Sequence, residues 1–413
     1  MQSVPSELDR ATSICTFVTN GQVASKILRF FLLACFLDSE KFSVTIYEKN
    51  KTFGRKFLVA GKGGFNLTHS ETTQELVKRY TPTGFLNEVL QNFTNNDFRN
   101  WLETIAIPTY IGSSKRVYPK QGIKPIEVLN AITKKLKEKG VVVKYEHTFS
   151  GWNKSNDPII NDKAIKADYT IFCLGGASWK VTGSDGKWLD TFSEKGIQTK
   201  IFQGSNCGYK INWDSGFIKT HEGTPLKNIA ISCDTRLQKG EAVITKFGLE
   251  GNAVYGLSPQ IRSQLAANLK AVIYIDFKPS LSIENLYTKM QLSSYKNTTQ
   301  ILKKELKLSA AQIDLLKTYV SKEEYLNKET LAQKIKNFPL EIVNTASIDE
   351  SISTVGGIDL SAISQDFELK KIANQFCIGE MLDWDAPTGG YLLQACASSG
   401  VYLARYINQH NIL

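Results

Sequence analysis

The spacing of apolar positions changes several times along the chain, and each change predicts an element. From Ile27 to Leu37 an apolar stripe at helical spacing predicts a helix, and "FSVTIYEK" (Phe42 to Lys49) predicts a strand. Residues 1–24 show no strong period. "CTFVTNGQVAS" reads as a poor first strand. Gly84 to Ile105 places Phe85, Leu86, Val89, Leu90, Phe93, Phe98 and Leu102 on one helical side. Pro125 opens a further helix that runs to Lys139, since proline is tolerated in a first turn. Gly140 stops it, and "VVVKYEHTF" follows as a strand. "ADYTIFCLGG" (Ala167 to Gly176) is an apolar strand running into paired glycines. Strand, helix and strand alternate, which predicts an α/β fold with a largely parallel sheet.

The texture changes near Gly196. Short β-like pieces, "GYKINW", "NIAISC", "EAVITKFG" and "AVIYIDF", run to about Pro279. From Ser280 to Asn337 the spacing is helical. Then "FCIGEMLDW" reads as a strand, and "GGYLLQACASSGVYLARYI" as a loop entering a helix. The last part restores the texture of the first. The expected organisation is one α/β domain over residues 1–195 and 352–413, with 1–29 atypical. A β-rich part over 196–279 and 338–351 and a helical part over 280–337 are inserted in it.

Chemistry enters at the strand ends. Glu48 closes the second strand, where dinucleotide folds use an acid to accept hydrogen bonds from ribose hydroxyls. "GRKFLVAGKGGFNLTH" (Gly54 to His69) then offers backbone N–H groups at its glycines and cations at Arg55, Lys56 and Lys62. The same glycines would equally serve a hairpin with no ligand. Gly175 and Gly176 end another strand. Gly379 and Glu380 follow a third, with Asp383 three residues beyond and Gly389 and Gly390 opening a helix. A helix N-terminus carries roughly half a positive charge, suited to a flavin pyrimidine edge.

Composition narrows the classes. Of 413 residues, 42% are hydrophobic and 22% charged, as in an ordinary folded protein of two or three domains. Net charge is +10, which admits an anionic partner such as RNA, although the lysines are dispersed. Seven cysteines without a Cys-x-x-Cys pair fit a reducing cytoplasm, and four histidines in no ligand spacing predict no metal. No apolar run approaches the ~20 residues that span a bilayer, so no membrane partner is expected. "FFLLAC" (Phe30 to Cys35) reads as a buried helix turn rather than a lipoprotein cleavage site.

The blocks "YEKNKTFGRKFLVAGKGGFNLTH", "SSKRVYP", "LGGASWKVTGSDG", "TPLKNI", "VITKFGLEGNAVY" and "TVGGIDL…GEMLDWDAPTGGYLLQACASSG" occur in that order from about Leu33 onward. Together they resemble the HI0933-like family of NAD(P)/FAD-dependent oxidoreductases, with its aminoacetone-oxidase-like and bile-acid-reductase-like members. The resemblance implies a Rossmann-like FAD-binding domain, discontinuous in sequence, with inserted β-barrel-like and helical domains. It implies FAD as cofactor and NAD(P)H as candidate electron donor. Carried over by position, Glu48 would take the adenosine ribose, with Lys49 among the cofactor-binding residues. Arg55, Lys56, Gly61, Lys62, Gly63, Gly64, Asn66, Leu67 and Thr68 would lie along the cofactor, with Gly175 and Gly176. Gly379, Glu380 and Asp383 would meet the ribityl–phosphate part, and Gly389, Gly390, Tyr391, Leu392, Leu393 and Gln394 the isoalloxazine. Ser113 to Pro119 and Phe247 to Gly251 would lie nearer a small-molecule substrate, with Tyr118 and Tyr255 as candidate proton donors and no catalytic residue assigned.

One element of the family's pattern is missing. Counting back from "LACFLDSEKF" puts the Gly-x-Gly-x-x-Gly loop near Ser25 to Phe30, where "SKILRF" stands. The match begins mid-motif, so residues 1 to about 29 are expected to be foreign to the ancestral start of the fold. Three functions compete: reduction of a conjugated C=C bond, flavin-dependent reduction of a uracil in RNA, and a degenerate flavoprotein that holds no FAD.

Overall fold

The computed structural model describes residues 13–19, 24–52, 54, 58 and 65–410. Contacts divide the chain into two compact units, Met1–Gln203 with Thr354–Leu413, and Gly204–Ser353.

The first unit carries strands β1 (Ser13–Thr19), β2 (Phe42–Glu48), β3 (Thr68–His69), β4 (Thr109–Ile111), β5 (Arg116–Pro119), β6 (Val142–Tyr145), β7 (Tyr169–Cys173) and β8 (Gln375–Cys377). Its principal helices are α1 (Ala24–Phe36), α2 (Pro125–Glu138) and α3 (Tyr391–Gln409). Five strands form one parallel sheet in the order β6-β2-β1-β7-β8. The chain reverses direction of growth between β1 and β7. In open α/β sheets, ligands bind at such a switch point, beyond the carboxyl ends of the strands.

The centre of this sheet explains a departure from expectation. Ser13–Thr19 is a full strand, paired with β2 from Ser13↔Phe42 to Thr19↔Glu48 and with β7 from Cys15↔Tyr169 to Thr19↔Cys173. Cys15, Thr16, Phe17, Val18 and Thr19 are all buried. A strand covered on both faces has no period-two alternation, so its sequence carries no strand signature. The residues expected as a phosphate loop, Ser25 to Phe30, lie inside α1. The strand-to-helix junction instead falls at residues 20–23, outside the described residues.

Other boundaries shift for local reasons. The helix expected over 84–105 is two helices, Asn87–Asn92 and Asn95–Thr104, because Thr94 and Asp97 make a capping box that starts the second afresh. "FCIGEMLDW" is a strand only to Cys377, since Gly379 at φ +75° turns the chain into a short 3₁₀ helix. "FFLLAC" lies buried in α1, which packs on α3. Their C-terminal ends are tied together: Asn408 Nδ2 donates to the Phe36 carbonyl (2.9 Å), and Asn408 Oδ1 accepts from Asp38 N–H (3.0 Å). A small antiparallel sheet, β3-β5-β4, completes the part that matters for the site.

The second unit holds a seven-stranded sheet whose pairings are antiparallel, with Pro225–Cys233 and Arg236–Ile244 as its long hairpin. Five helices between Ile283 and Lys336 follow. Leu286, Ile301, Leu315 and Ile335 from these helices join Ile231, Ile244 and Ile273 from the sheet in one hydrophobic cluster.

Beside the parallel sheet, Phe172 packs against Phe149, Trp152 and Phe192 with ring centroids 5.1–5.5 Å apart. Phe172→Ala leaves a cavity in this cluster and should cost about 3–5 kcal/mol. Urea unfolding followed by tryptophan fluorescence checks it, and a loss below about 1 kcal/mol would mean the site collapses around the smaller side chain.

Candidate functional site

The parallel register sets Thr19, Glu48 and Cys173 side by side, and Phe172↔Cys377 sets the Gly379 turn next to Cys173. Sequence-distant carboxyl ends thus form one edge. Glu48 is fully buried there. Its Oε2 accepts from Thr19 Oγ1 (2.5 Å), and its Oε1 accepts from Asn50 N–H (2.8 Å) and Nδ2 (2.7 Å). Lys49 turns to Asp185 (3.2 Å). Gly183, at φ +86°, leaves room for the Asn50 side chain, which a Cβ there would approach to 2.9 Å.

Gly175 at φ +69° gives its carbonyl to Trp188 Nε1 (3.0 Å). A Cβ on Gly176 would fall 1.9 Å from Thr354 Oγ1. That close approach lets Thr354 Oγ1 accept from Ala177 N–H, while Thr354 N–H donates to the buried Glu380 carboxylate. Asp383 accepts from Gly356 N–H (3.1 Å) and pairs with Lys200 (2.6 Å). So Gly175, Gly176, Gly379 and Glu380 line the edge, and Asp383 is engaged by a lysine.

A second group gathers where α3 begins. Gly389 and Gly390 sit at φ +119° and +96°, a region L-residues avoid, and a Cβ on Gly390 would lie 2.6 Å from the Thr68 backbone. Thr68 Oγ1 donates to Gln394 Oε1 (2.6 Å), and Gln394 Nε2 reaches Ser398 and the Phe93 carbonyl. These bonds lock β3 to the first turns of α3. Gly390 provides no side-chain cap, and among the described residues the N–H groups of Tyr391, Leu392 and Leu393 have no partner. Asn66 and Leu67 lead into β3, where Leu67 N–H donates to the Val117 carbonyl. Arg55, Lys56, Gly61, Lys62, Gly63 and Gly64 lie outside the described residues.

Sequence reasoning missed the charged cluster beside this turn. Tyr391 stacks on His69 (4.9 Å, 19°) and donates its hydroxyl to Glu71 (2.9 Å), which also holds Arg79 through both oxygens. Burial pushes the His69 imidazole down, and Arg79 and Arg116 add to this against the opposing pull of Glu71. His69 is therefore neutral at neutral pH, and its 3.8 Å approach to Glu71 is not an ion pair there. Burial raises the Glu71 acid, but the Arg79 and Tyr391 hydrogen bonds outweigh it and hold the carboxyl below its usual range. Burial and the Glu71 charge push the Tyr391 phenol upward.

Arg116 stands opposite His69 on β5, and its Nε lies 3.5 Å from where a Gly389 Cβ would be. Among the described residues its guanidinium has no hydrogen bond or ion pair. Tyr118 shares its strand face at two residues' distance and stacks on Tyr110 (5.6 Å). The only sequence signal was the alternation within "SSKRVYP". The other substrate-side block lies in the second unit. There Phe247, Glu250 and Tyr255 line a cavity of about 490 Å³ with Glu222, Glu350 and Lys246.

A family model described as "HI0933-like protein Rossmann domain" matches residues 31–406. A ribosomal RNA dihydrouridine synthase of Haemophilus influenzae is 21% identical over 89% of this chain and 93% of its own length. A 3-dehydro-bile acid delta(4,6)-reductase of Clostridium scindens is 22% identical over 87% and 91%. Among solved structures, a flavocytochrome c3 fumarate reductase has a TM-score of 0.46 at 12% identity, covering 98% of this chain and 79% of the other. A 3-ketosteroid-delta4-(5alpha)-dehydrogenase of Rhodococcus jostii has 0.42 at 10% identity, with 96% and 98% covered. The family match and the reductase among the relatives support the expectation of an oxidoreductase enzyme. Among the described residues, no helix is long and apolar enough to cross a membrane.

An NMR titration of His69 should give a midpoint below the ordinary 6.5. Because the unfolded chain takes this proton first, stability should fall as pH drops through 6.5 toward the folded midpoint. Glu71→Gln should move the midpoint lower still. A midpoint above 6.5 would mean that the Glu71 charge outweighs burial.

Proposed function

The chain belongs to the HI0933-like Rossmann-domain family, and from that premise we propose that it is an FAD-dependent oxidoreductase reducing a carbon–carbon double bond conjugated to a carbonyl. The observation that carries this reading is the uncapped start of α3: three unpartnered N–H groups behind a Gly389–Gly390 turn, with the unpaired Arg116 beside it.

The residues present fit such a cofactor. The adenosine half would run along the carboxyl edge of the sheet, by Glu48 and the Gly175–Gly176 and Gly379 turns. The ring would meet the N–H groups of Tyr391 to Leu393, whose partial positive charge suits an electron-rich edge. Bound FAD would supply hydride chemistry; the protein supplies position and electrostatics. NAD(P)H remains the candidate donor of that hydride.

On the substrate side, Arg116 would hold the carbonyl oxygen by charge-assisted hydrogen bonds, polarising the conjugated bond toward hydride at its β-carbon. Tyr118, on the same strand face, would hold the proton that completes the reduction at the α-carbon. Among the described residues its hydroxyl has no hydrogen-bond partner. Glu71 neutralises Arg79, so among the described residues Arg116 is the cation of this cluster left for a ligand.

The bile-acid reductase among the relatives favours a small conjugated ketone. The +10 net charge and the RNA-modifying relative favour a second substrate, a uracil in RNA. Steep salt dependence of RNA binding distinguishes it.

Incubated with FAD and desalted, the protein should show a flavin absorption spectrum; a colourless product would overturn the assignment. Dithionite-reduced holoenzyme should be reoxidised anaerobically by a conjugated cyclic enone. Arg116→Gln should slow this about 10- to 100-fold in kcat/KM, the size of a lost hydrogen bond to a charged group. FAD affinity should stay within about threefold if Arg116 serves the substrate. A larger loss of FAD with unchanged turnover would move Arg116 to the cofactor.

A further inference from the structure

The cavity of the second unit plays no part in the redox reading, and every residue that lines it falls within Gly204–Ser353. One wall is a tight hairpin. Arg236–Ile244 turns into the short strand Gly248–Glu250, and Thr245 and Gly248 exchange N–H to carbonyl bonds in both directions (2.8 and 3.0 Å). Lys246 and Phe247 are thereby set at the tip. The strand lies hard against its neighbours: a Cβ on Gly248 would meet the Tyr209 carbonyl at 1.9 Å, and one on Gly251 the Glu241 carbonyl at 2.8 Å.

Glu250 ends that strand half-buried. Gly208 makes room for its stem, since a Cβ there would fall 2.9 Å from Glu250 Cγ. Among the described residues, no hydrogen bond or ion pair reaches the Glu250 carboxylate. Phe247 and Tyr255, also half-buried, line the same space. Burial and then the Glu250 charge push the Tyr255 phenol up, against a backbone hydrogen bond at Gly251, so ring and carboxylate are close neighbours. Glu222, Glu350 and Lys246 are exposed lining residues, and Lys246 pairs with none of the three acids.

These walls favour one ligand chemistry. A volume of about 490 Å³ suits a small molecule. Carboxylates outnumber the one ammonium here, although the chain as a whole carries +10, so a cation is favoured. A half-buried carboxylate without a partner has a desolvation cost that a bound cation would offset. Two aromatic rings favour an organic cation. A metal ion would need the acids to converge, and among the described residues no three His, Cys, Asp or Glu side chains are placed to hold one.

We propose that this cavity binds a small organic ammonium ion, with Glu250 accepting its N–H bonds and Phe247 and Tyr255 packing against its apolar body. The inference goes beyond the redox function and does not rest on it, because the cavity belongs to the second unit alone.

Titration calorimetry of the full chain with 2-phenylethylammonium should show saturable binding. 2-Phenylethanol, the same skeleton without the charge, should bind at least about tenfold more weakly. Glu250→Gln keeps the shape, removes the charge and should weaken the amine about tenfold or more. Phe247→Leu should weaken it about threefold. Magnesium chloride at matched ionic strength should not compete. No saturable binding of the amine, equal binding of amine and alcohol, unchanged amine binding by either variant, or displacement by magnesium would each overturn the proposal. The comparison of the two probes uses wild-type protein and stands even where a variant fails to fold. Amine binding should be the same with and without added FAD, so the flavin assignment can fail while this one holds.

Discussion

The double parallel pairing of β1 is the constraint on which the site depends. One residue, Thr19, is in register with Glu48 on one side and Cys173 on the other. A one-residue slip in either ladder would move Glu48 or the Gly175–Gly176 turn off the common edge and invert which side chains face the core. The register is held because both faces of the strand are buried: Phe17 and Val18 point to opposite sides and neither is exposed to solvent. The chemistry of the edge is thus fixed by the apolar packing of the residues just before it.

Glycines do two different jobs around this edge, and only the structure separates them. Gly176 and Gly390 resemble ligand-approach glycines in sequence, yet each makes room for the protein itself. Thr354 Oγ1 occupies the space of a Gly176 Cβ, and the Thr68 backbone that of a Gly390 Cβ. The second unit repeats the point, for a Cβ on Gly248 would meet the Tyr209 carbonyl at 1.9 Å. These contacts bring backbone segments together closer than any side chain on the glycine would allow. Preorganisation of this kind is what lets backbone donors stabilise charge without reorganising at the moment of reaction.

How much was legible in the chain follows from which signals are local. Glu48 at a strand end and the Gly389–Gly390 helix start are local patterns, and they could be read; the block from Ser113 to Pro119 was marked only by the family resemblance. β1 could not, because a strand buried on both faces has no alternation and its residues, Ser13 to Thr19, are not strongly apolar as a set. Misjudging that strand put the expected phosphate loop at Ser25 to Phe30, which lies inside α1. Glu71 was illegible for another reason: its pairing with Tyr391 spans 320 positions of sequence and has no spacing to detect.

Charge placement around α3 then decides what kind of ligand the site can take. Two arginines stand near the turn, but Glu71 holds Arg79 through both oxygens and accepts the Tyr391 hydroxyl as well. That carboxylate accepts three hydrogen bonds, and its charge is spent within a half-buried network where ion pairs are screened less than at the surface. His69 adds no charge, because burial keeps it neutral. What remains among the described residues is one guanidinium, three helix N–H groups and an aromatic pair, Tyr110 on Tyr118. Of the described groups, a flat ring carrying an electron-rich oxygen would use each: the ring on the aromatic side, the oxygen at Arg116. Among the described residues, the charge presented at this turn is set as much by Glu71 neutralising Arg79 as by Arg116.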